Sequence, residues 1–361
     1  MAGGPHFVGS GASRRWLEMY GSGRRRWLRG DRIGSYAERC VDLNVIDPIC
    51  AIITFMRIGI DLGGTKIEAL GIDNNGQELV RYRVPTPRGE YEGTIAAMVG
   101  LVRRIEAETG ETGTVGAGIP GTVSRQTGLV KNANSTWLNG RKLREDLSDA
   151  LAREVRVAND ANCLAVSEAT DGAAAGKQVV FAVILGTGCG GGLAFNGQVH
   201  DGINGVSGEW GHNPLPWAQE EELPGPECYC GKCGCMEMWV SGTGLGRDFA
   251  GMTGRRSSGP EIMAACLAGD AEAVAAVERL EDRLARGLAN VVNILDPDVF
   301  VFGGGLSKAE RIYGNVARLL PQYVFGHEVN TPLVQARFGD SSGVRGAAWL
   351  WPQIRSGANA S

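Results

Sequence analysis

A chain of 361 residues with 43% hydrophobic and 21% charged residues is long enough to bury one large α/β core or two smaller ones. Its formal net charge of −4 leaves no electrostatic footprint for nucleic acid, and no apolar run approaches the roughly 18 residues of a membrane span. The fifty-five glycines cluster beside apolar segments, which points to phosphate-binding turns and tight strand joints more than to disorder.

Residues 1–55 are rich in Arg and Trp (SRRWLEMYGSGRRRWLRGDR), contain no lysine and keep neither a period of 2 nor of 3.6. Glu18, Asp31 and Glu38 argue against a transit peptide, and no signal-peptide order is present. The segment reads as a mostly disordered extension outside the native product, with a fresh start at Met56.

From Met56 the pattern sharpens. RIGIDLGGTKIEALGID predicts an apolar strand, a Gly-Gly turn carrying Asp61, Gly63, Gly64, Thr65 and Lys66, and a second strand. Such a tip can offer backbone N–H groups to a phosphate chain, and Asp61 can hold magnesium through water. A plain hairpin with a capping Asp is the alternative. The stretch lacks the GxxxxGK[ST] of a Walker loop. A helix is expected over Thr94–Glu108, then a buried strand (TVGAGIPG) ending in a turn at Pro120. KNANSTWLNG is a loop rich in carboxamides (Asn132, Asn134, Asn139), suited to polyol hydroxyls or to structural Asx-turns.

VRVANDANCLAVSEA predicts a strand ending at Val157 and a helix beginning at Asn159-Asp160. Asp160 reads either as a helix cap or as a base taking the proton of a hydroxyl that attacks phosphorus. VVFAVILGTGCGGGLAFNG repeats the first hairpin, with Gly186, Thr187, Gly188, Cys189, Gly190, Gly191 and Gly192 in its turn, and two such units suggest an internal duplication.

In the stretch 205–237, Cys228, Cys230, Cys233 and Cys235 fall within eight positions, with Gly231 and Gly234 between them, and His212 lies sixteen positions upstream of Cys228. This spacing predicts a zinc knuckle, built either from one histidine and three cysteines or from cysteines alone. Pairs of cysteines two apart make poor disulfides. Downstream, Val277, Leu280, Leu284, Leu288, Val291 and Leu295 form one helical stripe that ends at Asp296-Pro297. DVFVFGGGLS is a buried strand opening on Gly303, Gly304 and Gly305, where the backbone can lie flat against a purine ribose. A helix around SSGVRGAAWLW and a frayed polar tail, 356–361, close the chain.

DLGGTK, GIPG, ANDANCLA, GTGCGGG, GEWGH, CYCGKCGCME and DPDVFVFGGGLS occur here in one order. Together they resemble the ROK family (repressors, open reading frames, kinases) of the actin-like ATPases. KNANSTWLNG, EWGHNPLPW and GDSSGVRGAAWLW make bacterial fructokinases and manno(fructo)kinases the nearest match. The resemblance implies an α/β fold of two actin-like (ribonuclease H-like) domains, 56–170 and 171–361, with the zinc loop 205–237 in the second and the extension 1–55 outside both. It implies a cytoplasmic, homodimeric ATP-dependent hexose 6-kinase with Asp160 as base, fructose first and mannose second. Asn134, Asn159, Asp160, Glu209, His212 and Glu237 would meet the sugar. Asp61, Gly63, Gly64, Thr65, Lys66, Gly186, Thr187, Gly188 and Gly190 would hold ATP phosphates with Mg²⁺, and Gly303–Gly305 the adenosine. His212, Cys228, Cys230 and Cys235 would hold a structural Zn²⁺, with Cys233 spare.

A glucokinase or N-acetylhexosamine kinase is the alternative within that family. A sugar-responsive repressor would need a helix-turn-helix pair that residues 1–55 do not display. A zinc-knuckle interaction module would leave both glycine turns unexplained.

Overall fold

The computed structural model describes residues 56–351; the expected extension at 1–55 and the tail at 356–361 lie outside them. In chain order the first half holds β1 (Arg57–Leu62), β2 (Lys66–Ile72), β3 (Glu78–Pro85), α1 (Tyr91–Thr109), β4 (Thr114–Ile119), the small pair β5 (Thr122–Val123) and β6 (Val130–Lys131), α2 (Leu143–Leu151), β7 (Val155–Asn159) and α3 (Asp160–Thr170). The second half holds β8 (Val179–Leu185), β9 (Cys189–Phe195), β10 (Gln198–Val199), α4 (Glu237–Val240), α5 (Gly242–Thr253), α6 (Gly259–Leu267), α7 (Ala271–Leu295), β11 (Val299–Gly303), α8 (Glu310–Leu319), β12 (Leu333–Gln335) and α9 (Ser342–Ala348).

Each half contains a five-stranded sheet of the same design. The orders are β3-β2-β1-β4-β7 and β10-β9-β8-β11-β12. In both, the first three strands run antiparallel to one another, and the next two join the first in parallel. The duplication suggested by the two glycine hairpins is therefore a duplication of whole sheets. Parallel strands need long crossovers, and α1 supplies one in the first half while α4–α7 supply the other.

Packing follows from the alternation along each strand. Ile58, Ile60 and Leu62 of β1 are buried against Met98, Val102 and Ile105 of α1. The helix starts at Tyr91, earlier than its apolar stripe, and ends on Gly110, whose φ of 71° lets its N–H reach Glu106 O. In the second half, Phe300 and Phe302 of β11 pack with Leu280, Leu284 and Leu288 of α7. That helix is capped by Asp270 and ends at Asp296, as its stripe predicts.

The opposite faces of the sheets are joined by an exchange of helices. A Cβ on Gly59 of β1 would collide with Val344 O of α9, and one on Gly116 of β4 would collide with Ala347 O. The last helix among the described residues thus lies directly on the first sheet. In the same way a Cβ on Gly192 of β9 would collide with Ala161 O, placing α3 on the second sheet. The two helices touch backbone to backbone where Gly346 meets Cys163. Among the described residues no helix is long and apolar enough to cross a membrane.

Candidate active site and metal knuckle

A cavity of about 490 Å³ opens where the helix exchange leaves strand ends and helix starts facing one another. Its walls include Asp61, Gly63 and Gly64 from the β1–β2 turn, Asn134 from the carboxamide loop, Asp160 from the start of α3, and Gly303 and Gly304 after β11. The turn is tight: Gly63 N–H donates to Lys66 O at 3.0 Å, and a Cβ on Gly63 would crowd that same oxygen. Gly304 has φ 84°, and a Cβ there would come within 2.5 Å of Leu185 O, so only glycine brings the β11 end so close to the β8–β9 turn.

Asn159 supplies the cap of α3. Its Oδ1 accepts from Ala161 N–H at 2.9 Å, and its Nδ2 donates to Gly121 O at 3.2 Å. The Oδ1 of Asp160 accepts from the same Ala161 N–H at 2.8 Å. Asp160 is exposed to the cavity, yet protein surrounds its carboxylate, and this enclosure is the main cause of its raised pKa; the Ala161 N–H opposes the rise and the Glu209 charge adds to it. Asp61 is pushed up to about 7, first by burial and then by the charges of Asp160 and Glu68, against a smaller pull from Lys66. Asp61 and Asp160 thus share the cavity short of compensating positive charge.

The remaining expected site residues lie outside the walls of this cavity. Glu237 Oε2 accepts from Cys189 N–H at 2.9 Å, so it braces the second glycine turn. Gly186, Thr187 and Gly188 form that turn, closed by Gly186 N–H to Gly188 O at 3.0 Å, whereas Gly190 lies within β9. Gly190–Gly192 were expected in the turn. They are strand residues, and two of them are glycine for clearance: a Cβ on Gly191 would come within 2.6 Å of the Trp210 ring, and Gly192 faces α3. Lys66 sits 3.7 Å from Glu68, which Arg81 and Arg83 also pair. Gly305 opens a short turn, Gly305–Lys308. Trp137 of the carboxamide loop and Asp340 and Gly343 of the GDSSGVRGAAWLW stretch also line the cavity, as does Arg88, which no sequence pattern signalled.

The knuckle forms in the stretch 205–237. Gly231 and Gly234 take φ values of 85° and 70°, the left-handed conformation the spacing requires. Cys228 N–H donates to Lys232 O at 2.8 Å, and Glu227 pairs with Cys233 in a short bridge that carries Cys233 away from the cluster. The ligand atoms of His212, Cys228, Cys230 and Cys235 all lie within 4.8 Å of one another. Three soft sulfurs and one imidazole so disposed fit tetrahedral zinc, and they are the four implied by the resemblance. His212 turns Nδ1 toward Cys228 Sγ at 3.6 Å and Nε2 toward the Tyr229 hydroxyl at 2.9 Å.

Comparison with known proteins agrees with this architecture. Residues 57–354 match the model of the ROK family. An N-acetyl-D-glucosamine kinase of Yersinia enterocolitica is 41% identical over 299 residues, covering 82% of this chain and 99% of that protein. Its counterpart in Pectobacterium atrosepticum is 39% identical, covering 82% and 98%. Among solved structures, a ROK hexokinase from Thermus thermophilus superposes with a TM-score of 0.73 at 34% identity, covering 82% of this chain and 97% of that one. A ROK glucokinase from Streptomyces griseus, solved with glucose and AMPPNP, gives 0.68 at 30% identity, covering 82% and 99%. With its paired actin-like sheets and these relatives, the chain belongs to the ROK family, and within it to the ATP-dependent sugar kinases.

Proposed function

We propose that the protein phosphorylates an N-acetylhexosamine, N-acetyl-D-glucosamine first, at its 6-hydroxyl. The relatives that cover nearly their whole length on this chain carry that activity in their names, which favours the N-acetylhexosamine alternative over fructose. The observation that carries the chemistry is the position of Asp160, in one cavity with the Asp61–Gly64 turn and the Gly303–Gly304 backbone.

In this reading the sugar hydroxyl attacks the γ-phosphorus of ATP in line. A new bond forms from O6 to phosphorus, the bond to the β,γ-bridging oxygen breaks with its electron pair leaving on ADP, and the hydroxyl proton passes to Asp160. Amides of the first turn beyond Gly63, whose own N–H closes the turn on Lys66 O, would steady the phosphate charge, with the turn around Gly186–Gly188 on the facing sheet. Asp61 would hold magnesium through water, and that ion, when bound, would screen phosphate charge. Gly303–Gly305 would lie under the adenosine. Asn134, Asn159, Glu209, His212 and Glu237 would orient the sugar, directly or by bracing the loops that do. Zinc on His212, Cys228, Cys230 and Cys235 would fix the knuckle that presents His212 and stay outside the phosphoryl chemistry. The reading keeps the division at 170/171, a homodimer and a cytoplasmic setting as the resemblance implies.

The test is a coupled ADP-release assay over N-acetylglucosamine, N-acetylmannosamine, glucose, mannose and fructose. N-acetylglucosamine leading supports the proposal; fructose leading by an order of magnitude would return the chain to the fructokinases.

A further inference from the structure

The cavity has a charge problem. Its walls carry Asp61, Asp160 and Asp340, and their one cation among the described residues is Arg88. A nucleotide triphosphate brings several more negative charges into the same space. Lys66, the cation the hairpin motif offers, is engaged by Glu68 outside the cavity wall.

Arg88 is built into the phosphate turn by hydrogen bonds. It follows Thr86-Pro87 in the link between β3 and α1. Thr86 is buried, its N–H donates to Thr65 O at 3.0 Å, and its Oγ1 donates to Gly63 O at 2.7 Å. The link therefore moves with the Gly63–Thr65 tip. Pro87 fixes one backbone angle, and Pro87 O accepts from Glu90 N–H at 3.2 Å, closing the turn on which Arg88 stands. The side chain is exposed and makes no ion pair or hydrogen bond with the described residues. An exposed guanidinium fastened to a glycine turn, lining one cavity with Asp61, Asp160 and Asp340, has no structural partner among the described residues. A phosphate group gives it one, because a guanidinium fork matches phosphate oxygens two at a time.

We propose that Arg88 contacts the phosphate oxygens of bound ATP and steadies the charge that builds on the phosphoryl group during transfer. The inference rests on the phosphoryl-transfer reading of this cavity and adds a residue to it.

Arg88→Ala and Arg88→Lys in the full chain, with Lys66→Met beside them, test this on two readouts. In sugar-saturated turnover, Arg88→Ala should lose about 10²–10⁴ in kcat, in the range seen for removing a transition-state cation or oxyanion donor. Arg88→Lys should recover only part of the loss, since an ammonium cannot reproduce the fork. Millimolar guanidinium should restore Arg88→Ala at least about tenfold, with sodium at equal ionic strength giving none, because only a planar donor fork replaces what was removed. Calorimetric affinity for the sugar should stay unchanged, and Lys66→Met should lose less than Arg88→Ala.

The second readout is titration with a fluorescent ATP analogue, which needs no turnover. Arg88→Ala should bind it about tenfold more weakly, the scale of one charge-assisted hydrogen bond. Wild-type protein that binds the analogue but transfers to no sugar would sink the function while leaving Arg88 to be judged by the titration. Arg88→Ala with both nucleotide binding and kcat/KM for ATP near wild type would overturn the inference. So would a loss accompanied by lost sugar binding and no response to guanidinium.

Discussion

The Nε2 atom of His212 lies 2.9 Å from the phenolic oxygen of Tyr229, ring edge to ring face. The ring nitrogen not turned toward Cys228 is thus engaged by an exposed tyrosine of the knuckle itself. In the proposed reading zinc would take Nδ1, the Nε2 proton would serve either Tyr229 or the sugar, and Tyr229 would yield when the sugar binds. Tyr229→Phe should therefore tighten sugar binding about 2–10-fold, the worth of one net hydrogen bond, with zinc content unchanged. Calorimetry with metal analysis checks both; weaker binding would show that Tyr229 assists the sugar instead of competing with it.

Zinc content separates the two knuckle geometries. His212→Ala should lose the metal, because the imidazole closes the cluster. Cys233→Ser should keep one zinc per chain, because the bridge to Glu227 holds Cys233 outside it. Full zinc in His212→Ala would establish an all-cysteine site.

Asp61 and Asp160 make stability depend on pH in a definite direction. Asp61, raised to about 7, holds its proton more tightly in the folded protein than in the unfolded chain. Its contribution is favourable at low pH and is lost as pH rises from the ordinary carboxylate value of about 4 toward 7. Asp160 shifts in the same direction. Ligand-free Asp61→Asn should therefore melt roughly 2–5 °C above wild type at pH 8, with the gap closing near pH 4. Its catalysis should fail. Differential scanning across pH reads the gap; equal melting temperatures at pH 8 would show that Asp61 is not under this strain.

The helix exchange predicts opposite effects for two glycine substitutions. Gly346→Ala in α9 drives a methyl group into Cys163 O of α3 and should cost at least about 3 kcal/mol, through overpacking against backbone that cannot yield. Gly251→Ala in α5 meets nothing within 4 Å and should gain about 0.5–1 kcal/mol from helix propensity. Denaturant midpoints of the two variants give the comparison directly.

Local chemistry was legible in the sequence where one short stretch determines it. Gly63-Gly64 had to turn, Cys228 to Cys235 had to converge, and the stripe from Val277 to Leu295 had to be a helix. Gly190–Gly192 misled because glycine serves two purposes that look alike in sequence, a positive φ in a turn and clearance beneath another element; here Trp210 and α3 supply the second. The exchange of α3 and α9 was not readable, since both helices are small-residue rich and either sheet could have accepted either one. Arg88 escaped notice for a related reason: it stands alone in a polar loop, and only the fold brings it to the cavity of Asp61 and Asp160.

The account stands on Asp160 as the group that takes the sugar proton. Asp160→Asn keeps the size and the contact to Ala161 while removing the base, so turnover and calorimetric sugar binding measured on the same preparation isolate its role. Binding should stay within about threefold of wild type while kcat falls at least about a hundredfold, the usual cost of losing a general base. Turnover at the wild-type rate with binding intact would contradict the account and leave Asp160 as no more than the first residue of α3.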